Sequence, residues 1–90
     1  MKKSDVVGRV ADRTGLSRGT AEDAVNAMLV EIGEALARGE VVRISGFGRF
    51  SVRTRPAHTG RNPGTGEPIQ VGVSKTPLFK AGKRLKETVN

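Results

Sequence analysis

Residues 60–68 read GRNPGTGEP, a concentration of turn-forming residues around which the rest of the sequence can be placed. Beyond it, apolar residues alternate with small or polar ones over residues 69–74. Composition alone would favour a disordered loop for residues 55–74, whereas the alternation favours a two-stranded β-ribbon whose tip is residues 62–66. We predict the ribbon, with about nine residues per strand, a reach on the order of 30 Å and marginal stability on its own.

The stretch before this ribbon has the alternation of an antiparallel hairpin. Val42 and Ile44 are followed by Gly46-Phe47-Gly48, which suits a tight connection, and then by Phe50 and a second alternating run. The positions between the apolar residues are mostly arginines. We therefore predict a hairpin over residues 41–54 with one apolar face and one strongly basic face.

Two helices are predicted within residues 1–40. Ser4 is a candidate N-cap for the first, and the second begins at Ser17 or alternatively at Thr20. Both end at a glycine. Apolar residues of the second helix recur at three- and four-residue steps. They form a stripe wider than one short neighbouring helix can cover, which indicates a dimer.

The positive charge is concentrated in the second half of the chain. The net charge is +7, with −1 on residues 1–42 and +8 on residues 43–90. That half includes residues 75–90, for which we predict a closing strand and a short basic helix over about residues 81–89. A basic surface can simply be well solvated, but an excess confined to one half favours a polyanionic partner.

Several classes of function find no support in the residues. Cysteine is absent and His58 is the only histidine, so we expect no metal site. The glycine-rich stretches lack the spacing of a nucleotide-binding loop, and no nucleophile and base form a set. We therefore expect no enzyme, no cofactor and no small-molecule substrate. No apolar run approaches ~20 residues and no signal-peptide core follows Met1, so we expect an intracellular protein with no membrane partner.

Three blocks in order resemble the bacterial HU and integration host factor family of DNA-bending proteins. They are GFGRF at residues 46–50, RNP at residues 61–63, and KTP and FKAGK within residues 75–83. The resemblance covers residues 1–90 without an evident gap and implies an α+β fold built as an intertwined homodimer. Each subunit would have two N-terminal helices for dimerisation, a three-stranded antiparallel sheet, a protruding β-ribbon arm (residues 55–74) and a short C-terminal helix.

The resemblance also implies a function and a set of contact residues. Such proteins bind double-stranded DNA with little sequence preference, insert their arms in the minor groove, and bend and compact the duplex. Pro63 corresponds to the apolar wedge, although turn chemistry alone would equally explain it as a turn proline. Arg61 and Asn62 correspond to donors beside it. The further DNA contacts implied are Arg53, Arg55, His58, Lys75, Lys3, Lys80, Lys83 and Lys86.

Apolar side chains of the helical stripe and the three phenylalanines correspond to a shared dimer core. These residues are Val25, Met28, Leu29, Ile32, Leu36, Phe47, Phe50 and Phe79. Stacking of the aromatic rings on bases is the alternative. The implied location is the cytoplasm, in association with the nucleoid, and the implied preference is for bent, nicked or gapped duplex DNA.

The arm departs from the commoner family pattern at three positions. His58 stands where arginine is usual, and Glu67 and Gln70 stand where lysine is frequent, so we expect fewer charge contacts with DNA. Two alternatives to the homodimeric, sequence-tolerant protein are kept open. One is a site-specific, heterodimeric subunit of the integration host factor type, which usually extends beyond a C-terminus such as Asn90. The other is a basic RNA-binding or ribosome-associated protein. A paralogue could also supply the second subunit of a heterodimer.

Overall fold

The computed structural model describes residues 1–90 and confirms the α+β class. The chain divides into two compact units, Met1–Ala35 and Leu36–Asn90. The elements in chain order are α1 (Lys3–Thr14), α2 (Arg18–Ala37), β1 (Val42–Ile44), β2 (Gly48–Arg55), β3 (His58–Arg61), β4 (Pro68–Val71), β5 (Ser74–Ala81) and α3 (Lys83–Val89).

The first helix starts one residue before its predicted cap. The Asp5 carboxylate accepts a hydrogen bond from the Lys2 N–H at 2.7 Å. Asp5 therefore satisfies a donor at the first turn, and Ser4 lies inside the helix. The prediction of Ser4 as N-cap is wrong. The helix ends as predicted before Gly15, which is left-handed with φ 73°.

Ser17 rather than Thr20 caps the second helix. The Ser17 hydroxyl oxygen accepts the Thr20 N–H at 3.2 Å, and α2 begins at Arg18. The helix ends at Ala37, and the Gly39 N–H then donates to the Leu36 carbonyl at 3.0 Å.

The helical unit has a small core of its own. Val7, Ala21 and Val25 are buried together, and Val10 and Ala11 pack against them. Val25 is thus buried within its own chain, whereas the following turns of α2 carry large apolar side chains that are about half exposed. These are Met28, Leu29 and Val30. The apolar stripe of α2 is therefore wider than the part of it that is buried within its own chain.

Strands β1, β2 and β5 form a three-stranded antiparallel sheet in that order, which confirms the predicted hairpin and closing strand. The register aligns Val42 with Phe50 and Phe50 with Phe79 on one face. The aligned positions on the other face are Arg43, Arg49 and Lys80. Because cross-strand neighbours point to the same side, the sheet separates an apolar face from a basic one.

A glycine makes room for the aromatic cluster, which consists of Phe47, Phe50 and Phe79. The Phe79 ring lies 4.8 Å from the Phe50 ring and 5.5 Å from the Phe47 ring, between centroids and in tilted geometry. The same ring covers Gly48, where a Cβ would meet Phe79 Cζ at 2.5 Å and the Lys80 carbonyl oxygen at 2.7 Å. Residue 48 therefore has to be glycine for these rings to pack on one another.

Fewer residues of the arm are paired than predicted. Strands β3 and β4 contribute four paired residues each, so the prediction of about nine is wrong. Residues 56–57 and 72–73 interrupt the pairing, because Pro56 has no N–H to donate and Gly72 has no side chain to pack. Two residues intervene on each strand, so the register of β2 and β5 continues unchanged into the arm.

The last helix begins at Lys83, two residues later than predicted. Ala81 pairs with Gly48 as the last residue of β5, and the Gly82 N–H donates to the Phe47 carbonyl at 2.8 Å. These two contacts hold residues 81–82 on the sheet, so the helix can start only after them.

Candidate nucleic-acid interface

The tip of the arm is a closed four-residue loop, residues 63–66. The Asn62 N–H donates to the Glu67 carbonyl at 2.8 Å, and the Gly66 N–H donates to the Asn62 carbonyl at 2.6 Å. Gly66 has a φ of 74°, which favours glycine. The Asn62 side chain adds a further constraint, since its Oδ1 accepts the Gly64 N–H at 2.9 Å. Backbone contacts and one side chain thus set the loop conformation.

Pro63 opens this loop and is exposed. Its ring presents apolar surface at the end of the arm and has no N–H that would need a partner. The Arg61 guanidinium reaches across the loop, where Nη1 donates to the Gly66 carbonyl at 3.2 Å. The tip therefore combines an apolar ring with a cation and, through Asn62 Nδ2, an amide donor.

His58 lies at the other end of β3. It is half-buried opposite Val71, and its Nδ1 is 3.3 Å from the Pro56 carbonyl oxygen. Nε2, the second ring nitrogen, can make a further hydrogen bond to a partner. Along one strand, residues three positions apart point to opposite sides, so His58 and Arg61 lie on opposite faces of the arm.

Arg53 and Arg55 lie on the basic face of the sheet where it leads into the arm. They pair with Thr76 and Ser74 of β5. Lys75 pairs with Thr54 and therefore lies on the reverse face. All three cations are exposed. The phosphate contact predicted for Lys75 would therefore be made from the other face than those predicted for the two arginines.

Two arginines that were not predicted as contact residues share the basic face with Lys80. Arg43 and Arg49 align with it across all three strands, and the three residues are called the basic row below. The hairpin alternation already placed both arginines on a basic face. Their alignment with Lys80 depends on pairing with β5, about thirty residues away in sequence, which local patterns do not specify.

The other predicted phosphate contacts come from separate helices. Lys83 and Lys86 lie on α3, where Lys83 Nζ is 4.0 Å from Glu87 Oε1 and both side chains are largely exposed. So exposed a pair contributes little to stability, and Lys83 is readily available to an anion. Lys3 belongs to the helical unit, where its Nζ donates to Asn26 Oδ1 at 2.8 Å.

Arg38 and Glu40 form the shortest ion pair of the chain, in the turn between α2 and β1. The hydrogen bond from Arg38, and after it the charge of the guanidinium, holds the pKa of the Glu40 carboxyl below its usual range. No group of three or more histidine, aspartate or glutamate side chains is placed to hold a metal ion. None of the helices has the length and apolar character needed to span a bilayer.

Comparison with known proteins gives the same assignment throughout the chain. A family model described as bacterial DNA-binding protein matches residues 1–90. DNA-binding protein HU-1 of Halalkalibacterium halodurans is 48% identical over 89 residues, which are 99% of each chain. DNA-binding protein HU of Geobacillus stearothermophilus is 47% identical with the same coverage.

Solved structures agree with the sequence relatives. A cocrystal structure of Anabaena HU with DNA superposes with a TM-score of 0.83 at 37% identity, over 99% of this chain and 97% of the other. The V42I mutant of HU from Thermotoga maritima gives a TM-score of 0.76 at 36% identity with complete coverage of both chains. On sequence and fold together, this chain belongs to the bacterial DNA-binding protein family that includes HU.

Proposed function

We propose that this protein is a sequence-tolerant architectural protein that bends and compacts double-stranded DNA. Two arms, one from each subunit of a homodimer, enter the minor groove, and Pro63 at each tip wedges into a base step. Unstacking one step costs a few kcal/mol, and the additional contacts that a bent duplex makes with the protein offset this cost.

The observation that carries this proposal is the exposed Pro63 on a loop held by its own hydrogen bonds. A wedge has to be apolar and conformationally restricted, because ordering a flexible side chain would oppose insertion. The ring of Pro63 meets both conditions, and the Asn62–Gly64 hydrogen bond at 2.9 Å restrains the backbone that follows it. Arg61 would leave the Gly66 carbonyl to donate to the base acceptors or phosphates of the groove.

The basic face of the sheet supplies the phosphate contacts of this proposal. Arg53 and Arg55 lie on β2, one of the two strands that lead into the arm, and Lys80 of β5 lies further along the same face. Lys83 and Lys86 of α3, together with Lys3, Lys75 and His58, add contacts from other elements. If ~6–8 phosphates are neutralised, log K falls with log salt at a slope of roughly −5 to −7.

The homodimer is proposed from the apolar surface that one chain leaves uncovered. Met28, Leu29 and Val30 of α2 are each about half exposed, and Phe47 and Phe79 are each 45% exposed. Monomeric soluble proteins rarely expose large contiguous apolar patches. A second copy would bury these side chains, together with Ile32, Leu36 and Phe50, and would bring two arms to one duplex.

Low sequence preference follows from this mode of binding. Minor-groove acceptors distinguish mainly A·T from G·C pairs, and a wedge selects steps that unstack at low cost. We therefore expect tighter binding to nicked, gapped or prebent duplexes than to intact linear DNA, and an association with the nucleoid in the cytoplasm. A competition series with nicked duplex, linear duplex and A-form RNA separates this function from RNA binding. Displacement of every DNA form by RNA would contradict it.

The wedge is tested by fluorescence energy transfer between dyes at the two ends of a short duplex. Pro63→Ala should bind DNA with its helical circular dichroism and dimer mass intact, but with transfer close to that of free DNA. Pro68→Ala is the matched control, since Pro68 is also exposed but pairs with Arg61 below the loop. It should bend DNA like the wild type. Full bending by Pro63→Ala would remove Pro63 from the mechanism.

A further inference from the structure

The basic row of Arg43, Arg49 and Lys80 is the densest alignment of like charges in the sheet. The three residues occupy directly opposite positions on β1, β2 and β5. With strands about 4.8 Å apart, the row spans roughly 10 Å. Together with Lys83 and Arg84 of α3, it lines a shallow hollow of about 640 Å³.

Nothing in the chain neutralises this row. The two ion pairs join Arg38 with Glu40 and Lys83 with Glu87, and no side-chain hydrogen bond engages any of the three cations. Glu87 is the acidic residue that lines the hollow, against five basic residues. Like charges placed directly opposite each other destabilise an antiparallel pair, so the free protein keeps this row at the expense of stability.

We propose that the basic row is a phosphate-binding site on the three-stranded sheet. In the complex it holds two phosphates of the DNA backbone, and its own repulsion is relieved when they bind. The guanidinium groups of Arg43 and Arg49 suit this task, because each offers a planar set of donors to phosphate oxygens. Lys80 adds a third charge in the same line, and Lys83 and Arg84 close the hollow from α3.

This inference builds on the proposed DNA binding and extends it. The arm would contribute the wedge, and the three-stranded sheet would contribute a phosphate-binding row whose charge repulsion is relieved when phosphate groups bind. Two readouts should therefore move in opposite directions when the row is neutralised: stability of the free protein should rise, and the electrostatic part of DNA binding should fall.

The test is the double variant Arg43→Gln/Arg49→Gln, compared with Arg9→Gln/Arg13→Gln. The control removes the same two charges from exposed positions of α1. Affinity for a nicked duplex is measured from 50 to 200 mM salt. Loss of two phosphate contacts should reduce the salt slope by about 1.8, so over this range the wild type should lose about tenfold more affinity than the double variant. The control should keep the wild-type slope.

Thermal unfolding at low salt gives the second readout, independent of DNA. The double variant should melt roughly 3–8 °C higher than the wild type. Added inorganic phosphate should raise the wild-type midpoint and leave the variant unchanged.

An unaltered salt slope would overturn the DNA contact even if phosphate still stabilised the wild type, since the row would then be a site for small anions. A lower melting point for the double variant would overturn the claim of relieved repulsion. Neither result affects the wedge, which the bending of Pro63→Ala tests separately.

Discussion

Substitution of Gly48 by alanine should destabilise the sheet more than any other single methyl added at a glycine. The new Cβ would lie 2.5 Å from Phe79 Cζ and 2.7 Å from the Lys80 carbonyl oxygen. Overpacking usually costs about 1–3 kcal/mol. Because one of these atoms belongs to the backbone and cannot rotate away, we expect a loss of about 2–3 kcal/mol. For a domain of this size, that corresponds to a melting point lower by roughly 10–20 °C.

The assay is thermal unfolding followed by circular dichroism, with all variants at one protein concentration because a dimer melts in a concentration-dependent way. Gly33→Ala is the matched control with the opposite sign. Gly33 lies within α2, and no atom of the chain lies within 4 Å of a Cβ built there beyond its own helix. Alanine should stabilise the helix by up to about 1 kcal/mol.

Gly48→Ala should also change the packing of the aromatic cluster. The Phe79 ring has to move, so its contacts with Phe50 and Phe47 at 4.8 and 5.5 Å should lengthen. A variant that melts within about 2 °C of the wild type, or that keeps the ring in place, would refute the packing argument.

Two further predictions concern the dimer interface and the arm. Leu29→Lys should shift the protein toward single subunits in sedimentation equilibrium, because a buried unpaired charge costs several kcal/mol; an unchanged dimer would contradict the proposed interface. Asn62→Ala should weaken bending measured by energy transfer, whereas Asn62→Ser should retain more of it, because a hydroxyl can accept the Gly64 N–H; equal losses would show that this bond does not position the loop.

Local sequence patterns were sufficient for most of the fold. The alternation from Val42 to Val52 gave the hairpin, because one face of an antiparallel sheet is buried and the other is solvated. The alternation after residue 68 likewise outweighed a composition typical of disorder. The sequence leaves Ser17 and Thr20 open as the start of the second helix, and the hydrogen bond from the Thr20 N–H to the Ser17 hydroxyl decides for Ser17.

The errors have physical causes of two kinds. Competing local contacts displaced Ser4 as a cap, since the Asp5 carboxylate reaches the Lys2 N–H, and shortened the paired arm at Pro56. Non-local pairing decided the rest. The last helix is predicted from about residue 81, but it starts at Lys83 because Ala81 still pairs with Gly48 as the end of β5.

The pairing of β2 with β5 connects the stability of the three-stranded sheet to the register of the arm. The register that begins with Gly48 opposite Ala81 continues through Arg55 opposite Ser74 to Arg61 opposite Pro68. A slip of one residue would exchange the two faces of the ribbon, so Arg53 and Arg55 would join the apolar side. The Phe79 ring opposes such a slip, because only a glycine can lie beneath it and both neighbours of Gly48 carry side chains. The packing of Phe79 on Gly48 thus determines which face of β2 carries Arg53 and Arg55 where the strands lead into the arm.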